Sequence, residues 1–585
     1  MERPPEAGIL GRFFEWLEQR DWDEGAVLMV FGAIIGVVSG LGVVGFYRLI
    51  DLAYFIFIRI PASHLPFPGF AFYRPLLTAA GIWSAWFVIR RSRVPDGQNV
   101  PDVQLAVAKR DGVIRSWPVV VRTIASALTL GSGGSAGSEG PVAVLGAGLG
   151  SAIGRRLRFQ ARHLKILVGC GAAAGIAGAF NAPFAGAFFA LEEVLGSFSV
   201  GAFSPVVIAS VAGALTARAF LGGHPIFGDS VKAQANSVES ILLFPVLGIA
   251  CGLVSALYAR AYLASVDAGR RTPNPKWVWP LAAGAITGII GLASGGLLLG
   301  DGHLAIPRPV FGGMIWYVLL IVCALKILAT VITLGFGGTG GVFTPTLFIG
   351  AALGGGLGAA GRGLFPGVVD ARAWAFVGMA GMVAGATRAP LTAIFIVFEM
   401  TDDYTYVVPL MIVAVIAYVT ARQYSPHGLY DGWLASKGEH IAHGVDQSVM
   451  EHTTVADAVD RDVPAVSAGA SIEELVAAAA ATRHGVLPVL DDEGTLLGVI
   501  NHHTLRDAIL VRDQLAEVVL AADLAEPVEP LAPDDSLRRG LALMNARGLD
   551  AVPVVEGNGD HPRFVGLLGR GDVLSLYERS LAQAV

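Results

Sequence analysis

The sequence predicts an all-α polytopic membrane protein with two inverted repeats of broken helices, followed by a C-terminal α/β pair. Three observations carry this fold class. Over 585 residues the chain is 54% apolar and only 15% charged, where soluble domains are about 25% charged. Its 75 glycines lie inside long apolar stretches, which excludes a disordered chain. Charge also divides the molecule: residues 441–585 carry 23 acidic residues against 10 arginines, net −13, which leaves +7 of the whole chain's −6 for what precedes them. A soluble enzyme is the wrong first expectation, and no nucleic-acid partner is expected.

The elements follow in order. Residues 1–24 are charged and aromatic, with Phe13, Phe14, Trp16 and Trp22, and lack the apolar core of a signal peptide. They read as an interfacial helix on the cytoplasmic side. Stretches 25–50, 241–263, 278–299, 315–334 and 405–421 each approach the roughly 20 residues that cross a bilayer. Between them, 73–222 and 306–402 are interrupted by Gly and Pro, and such broken segments survive only where protein or a polar cavity satisfies the freed backbone. Interruptions at matching places in two halves mark the substrate site of transporters.

The halves can be aligned. Gly131-Ser-Gly-Gly-Ser-Ala-Gly-Ser-Glu-Gly-Pro141 and Gly335-Phe-Gly-Gly-Thr-Gly-Gly-Val-Phe-Thr-Pro345 share four glycines and the last proline at an offset of 204, with Arg122 opposite Lys326 and Thr129 opposite Thr333. At an offset of 207, Ala182-Pro183 and Glu192 meet Ala389-Pro390 and Glu399. One repeat therefore spans about 25–222 and the second about 240–436, within a membrane domain of 25–436. Alignment alone does not fix the direction of the second repeat. After a linker at 437–460 come two α/β copies, 461–511 and 520–585, each with a helix, a β-branched strand and a glycine-started strand and helix.

Two motifs, Gly137-Ser-Glu-Gly-Pro141 and Gly341-Val-Phe-Thr-Pro345, place glycine and proline at the start of an apolar helix. Proline fits a first helical turn and glycine lets backbone approach a ligand, while free N–H groups make the terminus an anion site. Glu139 inside the first motif is an intramembrane carboxylate, functional by default; it can occupy the anion site itself and leave on protonation. Glu192 and Glu193 close an apolar run and read either as a proton entry point or as solvated helix-end acids. Glu399 reads as a structural carboxylate holding a turn. Cys170, Cys251 and Cys323 sit in apolar runs, so no disulfide, metal or redox role is expected.

With these motifs the membrane part, over 25–436, resembles the chloride channel/transporter (CLC) family, to which Phe180-Asn-Ala-Pro-Phe-Ala-Gly186, Phe398-Glu-Met-Thr401 and Leu429-Tyr430 add. The resemblance implies that Glu139 is the external gating glutamate, Glu193 the internal proton-transfer glutamate and Tyr430 the central hydroxyl donor. Backbone amides of Val342 and Phe343, beside Gly137 and Gly341, would complete the anion cage. It also implies a homodimer with one pathway per subunit. Gln98, in Gly97-Gln-Asn-Val-Pro101, stands where the family carries an anion-touching serine, and Ser138 where it carries Lys or Arg.

The C-terminal pair resembles tandem cystathionine-β-synthase (CBS) domains, which often sense adenine nucleotides. Of their Gly-h-h-Ser/Thr-x-x-Asp signature the second copy keeps Asp572, with Gly569 in the hydroxyl slot, and the first has Asn501 and Thr504. Adenine nucleotide as a cofactor there, and a structural or dimer-contact role, both stand; no other cofactor is expected. The whole predicts a proton-coupled antiporter of chloride or a similar small anion, integral to a bacterial inner membrane, with the termini cytoplasmic as Arg90-Arg91-Ser-Arg93 and Arg155-Arg156-Leu-Arg158 suggest by the positive-inside rule. The alternatives are a passive chloride channel, voltage- or pH-gated, and a non-transporting anion sensor.

Overall fold

The computed structural model describes residues 24–64, 69–94, 99–222, 238–301, 313–439, 453–510, 519–557 and 563–576. The interfacial helix expected over residues 1–24 lies outside them but for Glu24, as does Gln98. The chain divides into two units, Met1–Ile441 and Ala442–Val585.

The first unit is helical. Repeat one runs through α1 (Glu24–Tyr54), α2 (Gly69–Arg91), α3 (Asn99–Lys109), α4 (Ser116–Gly131), α5 (Glu139–Arg156), α6 (Ala161–Phe180), α7 (Pro183–Phe189) and α8 (Val200–Leu221). Repeat two runs through α9 (Val238–Arg270), α10 (Val278–Ala293), α11 (Trp316–Gly335), α12 (Phe343–Leu364), α13 (Ala371–Thr387), α14 (Pro390–Thr401), α15 (Val407–Tyr424) and the short α16 (Leu429–Ala435). Among the described residues, seven helices are long and apolar enough to cross a membrane.

The breaks have local causes and recur. Helix α6 ends on Asn181 with φ 53° and α13 on Arg388 with φ 73°, both left-handed; each is followed by Ala-Pro, and the proline opens the next helix at its first turn. The arginine is held there by bonds from its guanidinium to the carbonyls of Tyr418 and Ser425. The span expected over 278–299 stops at Ala293, because Gly295 and Gly296 adopt φ 62° and 88°. Packing repeats as well: α1 lies on α8 as α9 lies on α15, and α5 on α6 as α12 on α13. Their buried faces form a large apolar cluster and a smaller one, in which Phe31 and Ile35 of α1 meet Leu167 of α6 and Val206 of α8. The three cysteines are buried free thiols.

In the second unit, β1 (Val466–Ser467) pairs parallel with β2 (Val486–Leu490), which pairs antiparallel with β3 (Leu496–Asn501); β4 (Ala551–Glu556) pairs antiparallel with β5 (Arg563–Gly569). The two hairpins shift register at equivalent places, Val489/Leu490 and Val554/Val555. Helices α17 (Ile472–Ala481), α18 (His502–Leu510), α19 (Ala521–Leu524) and α20 (Leu537–Arg547) complete the copies. Ser471 and Ser536 cap α17 and α20 by accepting from the N–H groups of Glu474 and Arg539.

One boundary differs from expectation. Residues 453–460, read as the end of the linker at 437–460, are bonded into the second copy: Thr454 bridges Ser536, and Asp460 exchanges both backbone bonds with Leu567. Val455 is wholly buried in that copy's core.

Candidate anion and proton site

The two glycine-rich loops meet at the centre of the first unit. Gly137 and Gly341 each donate an N–H to the other's carbonyl at 2.7 Å, and form an antiparallel bridge. Around them the exchange continues: the Ser135 N–H donates to Thr333 Oγ1 at 3.2 Å, and the Thr339 N–H to Thr129 Oγ1 at 3.1 Å. Since these are the residues that alignment pairs, each repeat gives the other the groups it receives, as a two-fold axis between inverted repeats requires.

Glu139 opens α5 and is fully buried. Its carboxylate does not face solvent but the start of α12, where it accepts the Phe343 N–H at 2.5 Å and the Thr344 hydroxyl at 2.7 Å. Phe343 is held by ring contacts with Phe180 and Phe189 of the first repeat. The carboxylate thus takes the free N–H and positive dipole end that an anion would take. Space for it comes from the two glycines: a Cβ on Gly137 would stand 2.1 Å from Glu139 Oε2, and one on Gly341 2.0 Å from Oε1. Their N–H groups are spent on each other, so they serve this arrangement by what they lack. Ser138 is buried beside it, 3.4 Å from the Tyr47 hydroxyl.

One residue further along, a cavity of about 10 Å³ is lined by Gly140, Gly341, Val342, Tyr262, Tyr430 and Pro101, among others. That is room for about one water-sized particle. Tyr430 is buried there and lies in electrostatic range of both Glu139 and Glu193. Glu193 is also buried and faces Gln104, whose Nε2 donates to the Glu193 carbonyl at 2.9 Å and to its Oε2 at 3.0 Å. The buried Oε1 of Gln104 has no hydrogen-bond partner among the described residues.

Glu192, adjacent in sequence, is placed otherwise. Its two oxygens accept the N–H groups of Leu391 and Thr392 and the Thr392 hydroxyl, capping α14. Glu399 returns the favour by accepting from the N–H groups of Phe184 and Ala185 at the start of α7. Sequence reasoning missed Thr344, Gln104 and Tyr262. Thr344 was visible as the fourth residue of Gly341-Val-Phe-Thr-Pro345; nothing in the spacing marks Gln104 or Tyr262.

In the second unit the CBS-like turns are bound internally. Asn501 Oδ1 accepts from the N–H groups of His503 and Thr504, and the Thr504 hydroxyl reaches Glu526 at 3.0 Å. Around Gly569, the His484 ring occupies the place of a side chain, 2.7 Å from a Cβ built there. Asp572 lies 3.4 Å from Arg483 and 3.8 Å from His484. Both also hold Asp460, at 2.8 and 3.0 Å. The His484 hydrogen bond, then those from the Asp462 N–H and Arg483, hold the Asp460 carboxyl below the ordinary carboxylate range.

The voltage gated chloride channel family model matches residues 80–422, and the CBS domain model residues 455–511 and 521–579. A putative chloride channel protein, ClcB-like, of Ralstonia nicotianae is 34% identical over 343 residues, covering 58% of this chain and 80% of its own. An H(+)/Cl(-) exchange transporter, ClcA, of Salmonella arizonae is 32% identical over 452 residues, covering 73% of this chain and 91% of its own. Among solved structures, that of a slow cyanobacterial Cl-/H+ antiporter matches with TM-score 0.65 at 24% identity, over 70% of this chain and 97% of the other. That of a eukaryotic CLC transporter matches with TM-score 0.60 at 19% identity, over 93% and 97%.

Proposed function

The chain belongs to the voltage-gated chloride channel family, and from that premise we propose that it exchanges chloride, or a similar small anion, for protons across the membrane in which it is embedded. The observation that carries the reading is the Glu139 carboxylate seated on the α12 N-terminus, bonded to Phe343 and Thr344. An ionised carboxylate and a chloride ion compete for the same donors, so when one is bound the other must be displaced. Protonation removes the carboxylate's charge and its hold on the dipole, and an anion takes its place. The two substrates are then coupled in opposite directions through one side chain.

Glu193 is assigned the other end of the proton route. It is buried, which a permanent charge tolerates poorly, and Tyr430 lies in electrostatic range of both carboxylates. Glu192 is assigned to structure, since its cap on α14 occupies both oxygens. Tyr430 and Val342, which line the central cavity, are assigned to the anion. A homodimer with one such pathway per subunit completes the reading. For the CBS pair we infer a regulatory role that does not pass through an adenine nucleotide at Asn501, Thr504 or Asp572, because their polar groups are engaged within the unit.

The test is the purified chain in chloride-loaded liposomes, with anion efflux and external pH followed together under a voltage clamp by ionophore. The expected result is proton movement driven uphill by the chloride gradient. Chloride flux with no proton movement would identify a channel and overturn the exchanger; binding without flux would identify a sensor.

A further inference from the structure

A cleft of about 290 Å³ on the first unit borders the Gly335–Thr339 loop but is lined by neither Glu139, Glu193 nor Tyr430. Its walls include Trp86 and Arg90 near the end of α2, Arg270 at the end of α9, and Lys276 and Trp279 at the start of α10. No Asp or Glu is among its described lining residues. Arg90 lies over the Trp86 ring at 5.4 Å and Arg270 donates to the Ser436 hydroxyl at 3.3 Å. Neither these two nor Lys276 is ion-paired among the described residues. The fourth cation, Arg122, is matched by Asp102. Three cations therefore surround one concavity with no carboxylate among its described lining residues.

Chloride alone does not account for this construction. A transported monovalent ion has to leave as readily as it enters, and three unmatched cations around one space would hold it. The volume also exceeds what one halide fills and lies near the lower end of organic ligand pockets, about 300 Å³. A phosphate group supplies the multiple acceptor oxygens and charge that such cations take, and the two indoles flank whatever it is esterified to. We propose that the cleft is a binding site for a phosphate ester, either the headgroup of an anionic phospholipid or a soluble phosphate ester. Its position favours the lipid: it opens where α2 and α9 end and α10 begins, and basic pockets between helix ends bind lipid headgroups, with indoles enriched at that depth.

The test is native mass spectrometry of the delipidated full chain with three probes: phosphatidylglycerol, phosphatidylcholine and glycerol 1-phosphate. We expect selective retention of phosphatidylglycerol over phosphatidylcholine, weakened about fivefold by each of Arg90→Gln, Arg270→Gln and Lys276→Gln, the effect of one surface cation on an anionic headgroup. The triple variant should lose on the order of a hundredfold by the same arithmetic. Arg362→Gln, at the far end of α12 and outside the cleft, should change nothing. Arg90→Lys with Arg270→Lys keeps the charge and should retain the lipid, which separates loss of the site from loss of the fold. Competition by glycerol 1-phosphate assigns the site to soluble esters as well; no competition assigns it to lipid. Equal retention of phosphatidylcholine, or a triple variant that binds like the wild type, overturns the proposal.

Discussion

A buried carboxylate survives in a membrane protein only if donors offset the cost of taking its charge out of water, which runs to several kcal/mol. Glu139 has two such donors, each contributing about 1.5–3 kcal/mol when the acceptor is charged, and a notch made by two missing side chains. That notch gives a sharp prediction. In Gly137→Ala the three atoms nearest the new methyl are those of the Glu139 carboxyl group, at 2.1–2.5 Å, so the carboxylate is expelled while the loop backbone keeps its place. Losing one of those bonds reduces occupancy of the seat about tenfold or more. Simultaneous flux and pH recording should show proton movement per chloride falling by a similar factor, with chloride flux maintained; unchanged coupling would mean that the carboxylate does not need the seat. Glu139 and the Gly-x-x-x-Pro motifs were legible in the sequence because a charge and a proline at membrane depth are conspicuous. Gln104 was not, since an amide in a short amphipathic helix looks like any surface residue until the fold presses it against Glu193.

Among the elements, the reciprocal caps show why two adjacent glutamates part company. A helix that starts with proline still leaves N–H groups unsatisfied in its first turn, and inside a membrane no water takes them up. Glu192 supplies α14 and Glu399 supplies α7, so each repeat finishes the other's broken helix. Glu192→Gln should therefore lower the midpoint of thermal unfolding, by the shift that about 1 kcal/mol of lost cap brings, and leave proton coupling intact. Glu193→Gln should do the reverse, sparing stability and abolishing proton movement; loss of coupling in Glu192→Gln would return that residue to the proton route. Sequence alignment paired Glu192 with Glu399 and marked Glu399 as structural. It could not tell which of the 192–193 pair turned outward, because that depends on the π-helical turn Ala190–Val194, which changes the facing of successive residues. The span drawn to residue 299 was too long for a similar reason: hydropathy does not register that Gly295 and Gly296 turn left-handed.

At the scale of the whole molecule, two units with different chemistry are joined in one chain. The second is tied together at Asp460, which brings His484 and Arg483 of one CBS copy against a strand of the other. Because folding lowers the pKa of Asp460, its contribution to stability is complete above the unfolded value of about 3.9 and is lost as pH falls through the lower folded value. Asp460→Asn should accordingly destabilise the second unit at pH 7, seen as an earlier unfolding transition in the full chain, and the difference from wild type should vanish in strong acid. A difference that persists there would assign the effect to packing. The two-unit division was legible from charge alone, whereas the place of residues 453–460 in the second copy was not, since those contacts are backbone bonds between distant segments.

The account rests most heavily on Glu139 as the group that both blocks the anion and carries the proton, and Glu139→Ala tests it most directly. In liposomes with chloride efflux and external pH recorded together, the variant should pass chloride with no proton movement against its gradient. Uphill proton pumping retained in Glu139→Ala would contradict the account, because the Glu139 carboxylate is the group that accepts from Phe343 and Thr344 at the α12 terminus.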